Sequence, residues 1–111
     1  MSTTTSIPEE HRREFTPIRD QVVDYIAQVH QLISSSRMED AKKAKGMGKA
    51  LREQVKEMRK TQMKRAHKGS KENLRASMVY LNILIETNEL LGNLRHLVSY
   101  SQHLLDDGGE D

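Results

Sequence analysis

Apolar residues recur along this chain in three separate helical registers, each closed by hydroxyl-rich or glycine-containing breaks. The longest register runs from Asn73 to Leu105. Its heptad line is Leu84, Leu91, Val98 and Leu105, with Ile83, Leu90, Leu97 and Leu104 beside it and Tyr80, Leu94 and Ser101 completing the stripe. A stripe two residues wide at every turn suits a helix contacted by two neighbours, whereas a two-stranded zipper needs only a narrow line. The pattern predicts a helical bundle with Leu84, Leu91, Leu94, Val98 and Leu105 in its core.

Thr16-Pro17 opens a second register, because Thr caps a helix N-terminus and proline is tolerated in the first turn. Ile18, Val22, Tyr25/Ile26, Val29 and Leu32/Ile33 follow at once, which predicts helix 1 over about 17–35. Ser34-Ser35-Ser36 breaks it, and Ser36 with Glu39 reads as a capping box that opens helix 2 over about 37–67. Its buried stripe is thin: Ala41, Ala44, Gly48, Leu51, Val55, Met58, Gln62 and Ala66. Gly46 and Gly48 each cost about 1 kcal/mol relative to Ala in a helix interior. Either a neighbour approaches closely there or the helix is locally loose, and close packing is the expectation.

Gly69-Ser70 supplies a helix stop and a start, so 67–70 reads as a tight turn into helix 3, which runs to about Leu105. Two short connections predict an all-α fold, a three-helix antiparallel up-down bundle over 16–105 with a long helix 2–helix 3 hairpin. At about 1.5 Å per residue, those two helices each reach roughly 45 to 50 Å. Residues 1–15 read as a flexible leader, or in part as a continuation of helix 1 across a kink at Pro17, and residues 106–111 as an acidic disordered tail.

Composition thins this picture. Leu, Ile, Val and Phe make up only about 22% of the chain, close to the lower edge for folded sequences. With 31% charged residues, one Phe and no Trp, a small core between solvated helix faces is expected, and oligomer contacts or a larger parent protein would supply missing burial. The lack of Cys excludes disulfides, thiolate metal sites and cysteine nucleophiles. No stretch approaches the roughly 20 apolar residues of a membrane span, so the chain as given reads as soluble.

The net charge of +2 conceals a basic middle third. Lys42, Lys45, Lys49, Arg52, Lys56, Arg59 and Lys60 crowd helix 2, opposed there by Glu53 and Glu57. Such a face is either solvated surface or a contact for an acidic protein or an anionic membrane. Nucleic acid is disfavoured, since no reading motif occurs and no aromatic residue interleaves the cations. On helix 3, Glu89, Asn93 and His96 fall at i, i+4 and i+7, so oxygen and imidazole donors share one face where a divalent cation could sit. The plain alternative is an outer solvated surface, and a metal site would need carboxylates from a partner. Asn88, Arg95, Thr87 and Ser101 border or interrupt the leucine stripe, where polar residues set register or oligomer state. No Ser, His and carboxylate group with a glycine turn and no phosphate-binding glycine loop occurs, so an enzyme is not expected.

Residues 51–105 resemble the last two helices of PhoU-like domains, particularly those at the cytoplasmic C-terminus of sodium-dependent phosphate cotransporters. In that family a charged helix turns through a glycine and a polar residue into a helix with a leucine-rich lead and a Glu-Arg-Ile-Gly-Asp-like element. Gly69-Ser70 and Glu89-Leu90-Leu91-Gly92-Asn93 stand in those places. The family's Glu-x-x-x-Asp motifs bind metal clusters in some members; here the matching pair is Glu89 and Asn93, a neutral amide in place of one carboxylate. The resemblance implies a non-enzymatic cytoplasmic regulatory or assembly domain for phosphate uptake, partnered by a parent membrane transporter or by further copies of itself. The other reading is a generic helical interaction module of adaptor or chaperone type.

Overall fold

The computed structural model describes residues 8–66 and 71–108. They form three helices, α1 (Glu9–Ser35), α2 (Met38–Ala66) and α3 (Lys71–Gly108). Helix α2 packs on both others, while α1 meets α3 more sparingly. The molecule measures 62 × 29 × 18 Å with a radius of gyration of 17.5 Å, against about 13 Å for a compact chain of this size. Long helices with thin apolar lines give that shape, because little can be folded back around so small a core.

Helix α1 starts at Glu9, not at Pro17. The Pro8 carbonyl accepts the His11 and Arg12 amides at 3.0 and 3.1 Å, and Glu9 and Glu10 sit at the positive end of the helix. What holds this turn is tertiary: the His11 ring stacks on Tyr80 at 4.4 Å and Phe15 meets the same ring edge-on at 6.4 Å. Residues 8–15 therefore belong to the bundle and not to a leader; residues 1–7 lie outside the described residues. Pro17 stands inside the helix, where it offers no N–H to the Arg13 carbonyl.

The link between α1 and α2 also departs from the capping-box expectation. Ser36 adopts left-handed backbone angles, φ 54° and ψ 34°, and its N–H closes α1 on the Leu32 carbonyl at 2.9 Å. Glu39 pairs with Arg37, at 3.6 Å, and among the described residues it bonds to no helix-capping group. The organising carboxylate is Asp40, which accepts the Ser35 hydroxyl, while the Arg37 amide donates to Ser35 Oγ at 3.2 Å. The 67–70 turn lies outside the described residues, and α3 continues past Leu105 to Gly108.

Ile18, Val22, Tyr25, Val29 and Leu32 of α1, Ala41, Ala44, Leu51 and Val55 of α2, and Leu91 and Val98 of α3 make one continuous core, with Leu94 and Leu105 partly buried against it. Leu84 and Tyr80 are buried as well. Of the two glycines inside α2, only Gly48 is explained by packing, since a Cβ there would meet the Tyr25 ring; nothing lies within 4 Å of one at Gly46. The two-residue-wide stripes are only half covered. Ile26, Ile33, Leu90, Leu97 and Leu104 are exposed, because α1 and α3 pack on α2 and sparingly on each other, and among the described residues no further element covers their outer sides.

Candidate functional site

Lys49, Arg52, Lys56 and Arg59 recur at intervals of three and four, so α2 presents them in one row. Asn88 and Arg95, one heptad apart on α3, face that row, and together with Glu53 these residues enclose a cleft of about 430 Å³. Five cations against one carboxylate leave a formal charge of +5 − 1 = +4. None of the five makes an ion pair with a described residue. Lys45 lies next to the cleft, sharing Arg95 with it in a smaller hollow lined also by Val98 and Gln102. Lys60 is paired with Glu57 at 3.7 Å, and Lys42 is exposed outside the cleft.

Four of the seven predicted surface cations are thus brought together, and Arg95 and Asn88 join them from another helix. In the heptad pattern those two border the leucine stripe. Their seven-residue spacing was the available signal, but only the packing of α3 on α2 turns it toward the basic row.

Glu89, Asn93 and His96 are all exposed on the outer side of α3. Among the described residues no group of three His, Cys, Asp or Glu is placed to share a cation. A concavity of about 790 Å³ lies between α1 and α2 over Ile18 and Met58, with Glu14, Glu53 and Glu57 at its rim. Two of those carboxylates are engaged: Glu14 holds Arg65 at 2.8 Å and accepts the Tyr80 hydroxyl at 3.3 Å, and Glu57 holds Lys60.

A second surface feature is apolar. Ile26 and Ile33 follow the buried Tyr25 and Leu32 by one position, turned away from Gln21 and Gln28, which bond to α2. Leu90, Leu97 and Leu104 precede Leu91, Val98 and Leu105 by one, turned away from Asn88 and Arg95. At about 100° per residue both rows border the α1–α3 seam on the side opposite α2. Leu90 and Leu104 keep 42% and 52% of their surface in solvent. The outer edge of α1 carries the exposed Arg12 and Arg19, and that of α3 the exposed Glu86 and Glu89.

Among the described residues three groups have shifted titration. Burial pushes the Tyr25 hydroxyl up, with the Arg95 charge pulling the other way. Burial, then the Glu14 charge and hydrogen bond, push Tyr80 up. The Ser35 hydrogen bond, aided by Gln28, Arg37 and Lys43, holds Asp40 down. No helix among the described residues is long and apolar enough to cross a membrane. No protein-family model, curated protein or solved structure matches the chain.

Proposed function

We propose that this chain is a non-catalytic helical assembly module, a three-helix antiparallel up-down bundle that packs its α1–α3 face on the same face of a second copy. The order of cross-helix partners supports the topology: Gln28 bonds to Asp40, Gln21 to Gln54 and Glu14 to Arg65, so positions fall along α1 as they rise along α2. The single observation that carries the assembly reading is the exposed row Leu90, Leu97 and Leu104 beside exposed Ile26 and Ile33. Contiguous apolar surface of this kind is uncommon on chains that act alone.

A second copy fits that face by charge. His11 stacks on Tyr80, so in this topology Arg19, about two turns further on, stands level with Glu86 and Glu89 across the seam. A two-fold axis along the bundle lays α1 against the other copy's α3 and brings a basic edge to an acidic one twice over. Two helices about 10 Å wide and roughly 30 Å long present about 600 Å², close to the roughly 800 Å² per partner of a standard interface.

Sedimentation equilibrium tests this. The expected result is a dimer that becomes a monomer of unchanged helicity in the double variant Leu90→Glu, Leu97→Glu. A wild-type chain that stays monomeric at high concentration overturns the second copy. The PhoU-like pattern of 51–105 supports the remaining reading, a cytoplasmic regulatory domain whose open face is covered by a parent phosphate transporter; uptake of a helix from such a transporter by the monomer, lost in the same variant, selects it.

A further inference from the structure

We propose that the cleft between α2 and α3 binds a small organic anion carrying two or more phosphoryl groups. The inference does not depend on the assembly reading, because the cleft and the open leucine face lie on different sides of α3.

Charge comes first. Lys49, Arg52, Lys56, Arg59 and Arg95 surround one volume with Glu53 as the lining carboxylate and no ion pair to a described residue to neutralise them. Like charges held together raise the energy of the empty site, and an anion between them relieves it. The formal +4 is matched by two phosphoryl groups, each worth about −1.5 to −2 near neutral pH.

Geometry narrows the class. Three of the five cations are arginines, two of them one heptad apart on α2 and the third on α3. A guanidinium fork fits phosphoryl oxygens two at a time, so three arginines lining one cleft from two helices favour a compact ligand with several such groups over a single carboxylate. Arg52 and Arg59 are half-buried, which limits screening by solvent. Asn88 adds a neutral amide able to meet a hydroxyl or ester oxygen. The volume of about 430 Å³ admits a ligand of nucleotide or polyol phosphate size, and no aromatic side chain lines it for base stacking.

The probes are inorganic tripolyphosphate by calorimetry, and phosphatidylcholine vesicles with and without phosphatidylinositol bisphosphate by co-sedimentation, on the full chain. Wild-type protein should bind tripolyphosphate, and Arg52→Gln with Arg95→Gln should weaken it at least tenfold with unchanged circular dichroism. Lys42→Gln with Lys64→Gln removes the same charge outside the cleft and should change binding less than twofold. Glu53→Gln should tighten it, which a merely structural role would not do. Vesicle binding that needs Arg52 and Arg95 and is displaced by tripolyphosphate assigns the site to a lipid headgroup; tripolyphosphate binding without vesicle binding assigns it to a free phosphate ester. Absence of tripolyphosphate binding at millimolar concentration, or equal weakening by the cleft and control variants, overturns the proposal.

Discussion

A Cβ placed on Gly48 would stand 2.6 Å from the Tyr25 hydroxyl oxygen and 2.8 Å from Cζ of the same ring. Glycine is present in the middle of α2 because a phenol from α1 occupies the space a side chain would take. Gly48→Ala must displace a ring with 0% exposure; overpacking of that kind costs about 1 to 3 kcal/mol, against about 1 kcal/mol regained in helix propensity. Gly46→Ala meets nothing within 4 Å and keeps the propensity gain. Urea titration should therefore show stability falling for the first and rising by up to about 1 kcal/mol for the second. Equal signs would show that Tyr25 does not define the contact.

The Tyr25 hydroxyl is buried without a hydrogen-bond partner among the described residues. An unsatisfied buried hydroxyl costs about 1 to 3 kcal/mol, so Tyr25→Phe is expected to leave stability unchanged or raise it, the reverse of the usual effect of trimming a core tyrosine. It also removes the nearest atom facing position 48. In a double-mutant cycle Tyr25→Phe should recover part of the Gly48→Ala loss; strict additivity would place the strain elsewhere.

Asp40 gives the α1–α2 link a pH dependence of defined sign. Its carboxyl is held below the ordinary 3.8, first by the Ser35 hydroxyl and also by Gln28, Arg37 and Lys43. A lowered folded-state pKa contributes stability that is complete above the unfolded value and disappears as pH falls through the folded one. Thermal unfolding followed from pH 6 to pH 3 should show a loss concentrated below about pH 4. Asp40→Asn should flatten that part of the profile and Ser35→Ala should shrink it. A profile identical in all three proteins would remove Asp40 from the account.

Periodicity made the inner faces legible. Leu84, Leu91 and Val98 are buried where the heptads put them, as are Ala41, Ala44, Gly48, Leu51, Val55 and Gln62 on α2. It could not show how many neighbours would cover each face, so Leu90, Leu97 and Leu104 read as the second row of a broad covered stripe and stand in solvent. Local start signals misplaced the beginning of α1, since Thr16-Pro17 satisfies the capping rules while the turn before it is held by Tyr80, far along the chain. Ser36 fitted a capping box by spacing, yet the link is organised by Asp40 reaching back to Ser35. The basic row of α2 was visible as a charge run; its closure by Arg95 and Asn88 required knowing which side of α3 meets α2.

Tyr80 joins all three helices at one end of the bundle. Its ring carries His11 and Phe15 of α1, and its hydroxyl donates to Glu14, which in turn holds Arg65 of α2. The two parts of the side chain should separate on mutation. Tyr80→Phe keeps the stacked ring and loses one neutral-to-charged hydrogen bond, a cost of about 1 to 3 kcal/mol at most, with Glu14 still paired to Arg65. Tyr80→Ala removes the surface on which the first turns of α1 rest, a loss of about 3 to 5 kcal/mol for a large buried ring. If the ring is what extends α1 back to Glu9, amide hydrogen exchange over 9–15 should accelerate sharply in Tyr80→Ala and little in Tyr80→Phe, while 22–32, packed on α2, stays protected relative to 9–15 in both. Protection of 9–15 that survives Tyr80→Ala would mean that local capping at Pro8 suffices, and that the stack on Tyr80 follows helix formation instead of causing it.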